Sequence, residues 1–408
     1  MYGSDMRGGD IVLPHGTETP RTARKLPGGM DSPPIRLCRT GSDSRPDRHS
    51  DMPSGDDKLA ITAGQSAPRA EPRAPTSTWQ RLWLAAKGGG WSLHVVYLGA
   101  AWVITKVYWR MTAQLDVATI DMMVDGTAEA PFAYRVLMPW VLRTLCRFDG
   151  VGDPMLADVG LRVLVLYGLM VLLRRWMRHF ATATLADLSP LLLGIILPGT
   201  FYWYWPYDFA GFFFWTACLL TLVERRYSLY LLCFILGSLN RETTVLLIGI
   251  FAVTQWQELG RRRTLLWAAG QGVIFAAIAL SIRLLVHAPG GEFAEVHLLE
   301  NLSFIAGRNA LSLFENWMTM LSALGFLWIL APWRWRRKSV FLRRACWVLP
   351  VAAVANLVLG RLAEPRLWND WLPIFLALAA QTVAEFAREE QAAQPAAFGS
   401  ASREPAAR

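Results

Sequence analysis

The stretch "SLNRETTVLLIGI" (residues 238–250) sets Asn240, Arg241 and Glu242 side by side inside an otherwise apolar run from Ser228 to Phe251. That run is long enough for one transmembrane helix, since a hydrocarbon core about 30 Å thick is crossed in roughly 20 residues. A charged triplet at its centre leaves two arrangements: one helix with a polar middle buried in protein, or two short helices joined at a polar tip. The choice fixes the direction of every segment that follows.

Composition supplies the setting. The chain has 408 residues, 53% of them hydrophobic, with 19 Trp, too apolar for a soluble domain of this charge content. Its net charge of +9 comes from short Lys and Arg clusters between apolar runs, with no single basic face. That distribution fits the cytoplasmic loops of a membrane protein and argues against a nucleic-acid partner. Cys38, Cys146, Cys218, Cys233 and Cys346 are too scattered for a disulfide framework or a metal site.

Apolar runs suited to membrane helices occur near Trp91–Trp109, Val159–Leu173, Leu185–Tyr204, Tyr207–Val223, Ser228–Leu239, Thr243–Trp256, Leu265–Val286, Trp317–Trp333, Ala345–Leu359 and Trp371–Phe386. Charge asymmetry decides whether the fifth and sixth are separate. With ten spans and a cytoplasmic amino terminus, the basic clusters at 174–178, 225–226, 261–263 and 334–344 all face inward. Merging the pair would put "RRR" at 261 and "RWRRK" at 334 outside. Asn240 to Glu242 is therefore expected as the extracytoplasmic tip of a hairpin. Its arms of about 12 to 14 residues reach only about 20 Å, which sets the tip below the outer surface, beside a water-filled cavity.

The fold class expected is all-α: a polytopic membrane protein of about ten transmembrane helices, some short or broken, with an extracytoplasmic interface helix. Residues 1–80, rich in Pro, Gly, Ser, Asp and Arg, and 389–408, rich in Ala, Pro and Arg, are expected to be disordered cytoplasmic tails flanking a membrane domain over 81–388. Met30 and Met52 offer later translation starts within the first tail.

Other polar stretches fall on the same expected outer face. They comprise Asp116, Asp121, Asp125, Tyr134 and Arg135 after the first span; Asp208 in "YWYWPYDF"; a long loop over Glu292–Glu315 with His287, His297, Glu300, Asn301 and Arg308 in or near it; and Glu364 and Arg366 in "AEPRLWND". Each admits an ordinary reading. Asp208, after a proline and before an apolar helix, suits an N-cap as well as a ligand group. The aromatics suit an interfacial belt, and Lys106 suits snorkelling. His287 and His297 lack metal-ligand spacing, and no metal site is expected. "NLS" at 301 matches a glycosylation acceptor only in a eukaryotic secretory setting. The "NRE" and "EPR" stretches suit internal ion pairs. The functional reading is that Arg135, Arg241, Arg308 and Arg366 offer bidentate donors to a phosphate, with Tyr134, Asn240 and Glu242 around them. A lipid-linked phosphate is the ligand expected at that depth. Carboxylates beside it would activate an acceptor hydroxyl.

An Asp soon after the first span (Asp116, or Asp121), the following "PFAYRVLMPWVLRTL", and "YDFAGFFFWTACLLTLVERR", "LNRET" and "EPRLWNDWLPIF" together resemble the fold C class of integral-membrane glycosyltransferases, over roughly residues 91–388. Uncharacterised bacterial membrane proteins grouped with that class are similar. The resemblance implies a hexosyltransferase in a bacterial cytoplasmic membrane, both termini cytoplasmic, taking a sugar from a polyprenyl-phosphate donor to a cell-envelope glycan, lipid or protein acceptor. It also implies that Asp116 is the general base. The chain departs from the family in carrying Ile120 where an aromatic is common, and in lacking a tandem acidic metal motif and a soluble carboxy-terminal domain. The lipid-linked donor is the cosubstrate implied, with the divalent metal left open. The alternatives are a transporter or flippase of lipid-linked glycans, a glycan polymerase or ligase using lipid-diphosphate donors, and a non-catalytic scaffold subunit.

Overall fold

The computed structural model describes residues 90–148, 152–201, 203–288, 290 and 296–399, the last nine by backbone alone; the tail expected over residues 1–80 lies outside them. The described residues form helices, with only an isolated bridge between Ala113 and Trp203 in extended pairing. Helix α1 spans Gly90–Met111. The segment after α1, expected on the outer face, holds two short helices, α2 (Ile120–Asp125) and α3 (Leu137–Leu145). Then come α4 (Pro154–Met177), α5 (Ala183–Thr200, broken by turns at its two prolines), α6 (Asp208–Val223) and α7 (Tyr227–Asn240). The second half comprises α8 (Leu246–Leu259), α9 (Arg261–Leu285), α10 (Leu298–Ala306), α11 (Ala310–Leu330), α12 (Val340–Leu359) and α13 (Leu372–Gly399).

Each of the ten apolar runs falls on helix. Segments α4, α5, α9, α11 and α12 are long and apolar enough to cross a membrane, whereas α6 and α7 are apolar but shorter. Exposure shows how the apolar surface is used. Helix α6 buries almost its whole circumference against α4 and α7, including Phe212, Trp215, Leu219 and Leu222. Helix α9 leaves Val273, Leu284 and Leu285 about 70% or more exposed at 70%, 68% and 78%. A face that apolar and that open is what contact with lipid chains requires.

Local chemistry sets the helix ends. Asp153 caps α4 through Oδ1 to the Met155 N–H (2.9 Å), with Pro154 at the first helical position. Thr119 caps α2, and Gly126, at φ 78°, ends it by donating its N–H to the carbonyls of Met122 and Met123. A satellite core of Ala118, Met123, Ala128, Met138, Trp205, Tyr207 and Ala210 fastens this outer segment to the start of α6. Ile120, where an aromatic was the family pattern, is itself buried in the main core.

One expectation requires correction. The loop expected over 292–315 contains α10 and the start of α11, because the apolar residues of "LLENLSFIA" recur at helical spacing. Helix α13 continues past Glu389 to Gly399, Ala, Glu and Gln being good helix formers, and Glu389 accepts from both terminal nitrogens of Arg334. Helix α11 is interrupted by a left-handed run at Leu324 (φ 61°), Gly325 (φ 59°) and Phe326 (φ 63°). A Cβ on Gly325 would stand 2.6 Å from Ile196 Cγ1, so the turn packs tightly on α5.

Candidate functional site

The chain reverses at Arg241. Helix α7 ends at Asn240, Arg241 is extended (φ −153°, ψ 143°), and a 3-10 turn over Glu242–Val245 leads into α8. The arms run antiparallel: Tyr227, at the start of α7, donates to Gln255 Oε1 near the end of α8 (3.0 Å), and the Tyr230 and Phe251 rings lie 5.5 Å apart. The polar triplet is thus the tip of a hairpin. Helix α6 makes room for it at Gly211, where a Cβ would lie 2.7 Å from Arg241 Cδ and 3.3 Å from Asn240 Nδ2.

Around this tip the fold gathers the start of α6, the 3-10 turn at Phe132–Tyr134 and a 3-10 segment at Pro365–Trp371. Three guanidiniums and four carboxylates meet there. Arg366 donates through Nη1 to both oxygens of Asp208 (3.0 and 3.1 Å) and through Nε to Glu364 Oε2 (2.9 Å), with Trp205 5.1 Å beneath it. Burial works against its charge, but Asp208 and Glu364 outweigh that and raise its pKa. Asp208 is the first residue of α6, and its oxygens serve Arg366; no side-chain bond caps the helix, so the N-cap expectation does not hold. Arg241, 5% exposed, faces Asp370 at 3.7 Å; the other Asp370 oxygen accepts from Thr243 (2.9 Å). Burial pushes the Asp370 carboxyl up, against the pull of Arg241 and Thr243.

The third pair is more open. Arg135 Nε meets Glu242 Oε2 at 3.3 Å and its Nη1 donates to the Tyr207 hydroxyl, the guanidinium lying 4.5 Å over that ring. Arg135 is 15% exposed and Glu242 47%. Asn240 ties the tip to the same residue by donating to the Tyr207 carbonyl (2.9 Å).

Of the residues singled out from sequence, Arg135, Asp208, Asn240, Arg241, Glu242, Glu364 and Arg366 are brought together. Asp116 and Asp121 are exposed, and no described side chain bonds either carboxylate. Tyr134 ends the turn that carries Arg135. Arg308 is exposed between α10 and α11, and only its backbone N–H is bonded, to Ser312 Oγ. Asn301 is 1% exposed: its amide donates to the carbonyls of Leu357 (2.8 Å) and Gly360 (2.6 Å) and its oxygen accepts from Leu362 (2.8 Å). It closes the end of α12 and is inaccessible to modification.

Sequence reasoning missed Tyr207 and Asp370, and it missed a second buried group. Asp158 and Arg162, one turn apart on α4 and 1% and 3% exposed, pair with each other; Tyr204 donates to Asp158, and the guanidinium sits 4.3 and 4.4 Å from the Tyr108 and Tyr204 rings. An Asp and an Arg four apart entering an apolar run were the available signal.

Two spaces flank the cluster. A narrow cleft of about 10 Å³, close to room for one water, is bordered by Tyr108, Asp208, Arg241, Arg366 and Asn369. Beside it, Arg241 Nε and the side-chain oxygens of Asn240 and Asn369 are buried without partners among the described residues. A groove of about 740 Å³ runs between the first outer segment, α7 and the end of α9, walled by Phe132, Val136, Trp140, Leu236, Leu239 and Leu285, with Arg143 and His287 at its edges. At the opposite end several basic residues are paired with acids, Arg175 and Arg226 with Glu224, Arg174 and Arg178 with Asp187, and Arg225 with Glu258. Among the described residues no group of three or more His, Cys, Asp or Glu is disposed to hold a metal.

The fold and site define an all-α protein with membrane-length apolar helices and one polar cluster at one end of the bundle. Comparison with protein-family models, curated proteins and solved structures finds no match to this chain.

Proposed function

We propose that the chain is a ten-span membrane glycosyltransferase of a bacterial cytoplasmic membrane, termini inside, which transfers a sugar from a polyprenyl-phosphate donor to a cell-envelope acceptor on the outer side. The observation that carries this reading is the meeting of Arg135, Glu242 and the buried Arg241 and Arg366 pairs beside an apolar groove of about 740 Å³. Such a groove suits an isoprenoid chain, and the guanidiniums beside it suit the phosphate that the chain carries. At the opposite end Arg174, Arg175 and Arg225 are already paired with acids, which supports chemistry on one face.

Not all of the arginines are equally available. Three guanidiniums face four carboxylates, so a phosphate has to take a guanidinium from an acid already there. Arg366 and Arg241 are held in buried pairs and act as locks on α6, the hairpin and α13. Arg135, with an exposed partner, is the phosphate contact. The family resemblance implies Asp116 as the base, but Asp116 is exposed and stands apart from this cluster, which leaves the base to be sought among the cluster's own carboxylates.

The test is transfer by purified protein in nanodiscs, supplied with undecaprenyl-phosphate hexoses or pentoses and a membrane glycan extract. Transfer from monophosphate donors and none from diphosphate-linked oligosaccharides is expected. Cysteines placed along the groove that become accessible from both membrane faces, switching with substrate, would replace the transferase with a flippase.

A further inference from the structure

Resting on the transferase reading, the geometry points to Arg135 and Glu242 as an exchange pair: the donor phosphate displaces Glu242 from Arg135, and the freed carboxylate is the base that takes the acceptor's proton.

The four carboxylates of the cluster differ in how firmly they are held. Asp208 spends both oxygens on Arg366 and is 13% exposed. Glu364 receives two nitrogens of the same guanidinium and is 12% exposed. Asp370 is 4% exposed and fixed by Thr243. None of these can turn to a substrate without breaking contacts to a buried guanidinium, an expensive change in a low-dielectric site. Glu242 differs in every respect. It makes one contact, at 3.3 Å, through one oxygen, and its side chain is 47% exposed. It is the first residue of a 3-10 turn that follows the extended Arg241, so its side chain swings without disturbing a helix.

Arg135 is matched to this role. Nε is used by Glu242 and Nη1 by the Tyr207 hydroxyl, so when Glu242 leaves, the guanidinium stays anchored by Tyr207 and by the ring under it. Phe132, 5.6 Å from the guanidinium, is also a wall of the apolar groove, so a chain lying there delivers its phosphate to Arg135. Exchange of one anion for another keeps the Arg135 guanidinium paired throughout binding.

The acceptor O–H bond breaks and its proton passes to the Glu242 carboxylate. The acceptor oxygen bonds to the sugar's anomeric carbon as the bond from that carbon to the phosphate oxygen breaks. That electron pair remains on the lipid phosphate, held by Arg135, and Glu242 returns its proton to water through its exposed face.

Two arms test this separately from the transferase reading. In the first, a membrane-impermeant carbodiimide with glycinamide labels carboxylates in the nanodisc protein, read by peptide mass spectrometry. Undecaprenyl phosphate should raise labelling of Glu242 severalfold while inorganic phosphate does not and Asp370 stays unlabelled; unchanged or reduced labelling of Glu242 overturns the exchange. In the second, Glu242→Gln should lower transfer by about 10²- to 10⁴-fold with undecaprenyl-phosphate binding retained, and Glu242→Asp should recover part of it. Transfer that survives Glu242→Gln but is lost in Asp116→Asn overturns Glu242 as base, as does loss of lipid binding in Glu242→Gln. A wild-type protein that shows the labelling response without any transfer removes the glycosyltransferase and the base together, and leaves only the exchange.

Discussion

Replacing Arg366 by Met removes the cation that two carboxylates share. Asp208 and Glu364 are 13% and 12% exposed, and their contacts at 2.7 to 3.1 Å account for both ends of the guanidinium. Without it, two negative charges remain in a site nearly closed to water, and breaking a buried pair in this way costs about 3–5 kcal/mol. For roughly 300 folded residues, that loss lowers the melting temperature by about 5–8 °C. The cost comes from the stranded charges, which gives a second limb to the experiment. Arg366→Met combined with Asp208→Asn and Glu364→Gln leaves no ion uncompensated, and should recover most of the loss. Arg366→Lys should fall between, since a single ammonium cannot span both acids. Melting in detergent followed by size-exclusion fluorescence reads all of these. A shift under about 1 °C for Arg366→Met, or a triple variant less stable than the single one, refutes the lock.

Gly211→Ala puts a carbon 2.7 Å from Arg241 Cδ, and should loosen the hairpin tip, costing about 1–3 kcal/mol and raising protease cleavage near residue 241. Asp158→Ala leaves Arg162 buried without its counter-charge and should cost about 3–5 kcal/mol, whereas Tyr204→Phe, which removes one donor, should cost about 1–2. Asn301→Ala should cost about 2–4 kcal/mol and free the end of α12 for faster hydrogen exchange, and microsomal expression should give no glycan at Asn301. Because the Asp370 pKa is raised in the folded protein, its contribution to stability is complete below the ordinary carboxylate value and declines as pH rises through the raised one; Asp370→Asn should remove that slope from melting curves taken against pH.

The reversal at Arg241 was legible because three polar residues interrupt an apolar run and the basic loops on either side admit only one arrangement. The same logic put Glu364, Arg366 and Asp208 on the hairpin's side, and they do meet there. What escaped was pairing. Asp370 looks like a flanking residue of "WND" until the 3-10 segment turns it toward Arg241. Asp158 stood one residue outside the span as drawn from Val159, so its bond to Arg162 went unseen. Polarity assigns a residue to an end of a helix but does not say which way its side chain points, which is why Asp116, just past the first span, read as part of a cluster it does not join. The break in α11 had no warning in sequence beyond Gly325, since Leu324 and Phe326 are ordinary helix residues held left-handed by packing on α5.

The long-range pairs also set a timetable. Asp208 leaves the ribosome 158 residues before Arg366, and Thr243 leaves 127 before Asp370. At about 5–20 residues per second, Asp208 waits some 8–30 s for its cation. Through that interval Asp208 and Arg241 lie without the partners the fold gives them, and only the arrival of the Pro365–Trp371 segment completes the pairs. Chains cut short before Glu364 should therefore be recognised as unfinished by membrane proteases even though most of their helices are already in place.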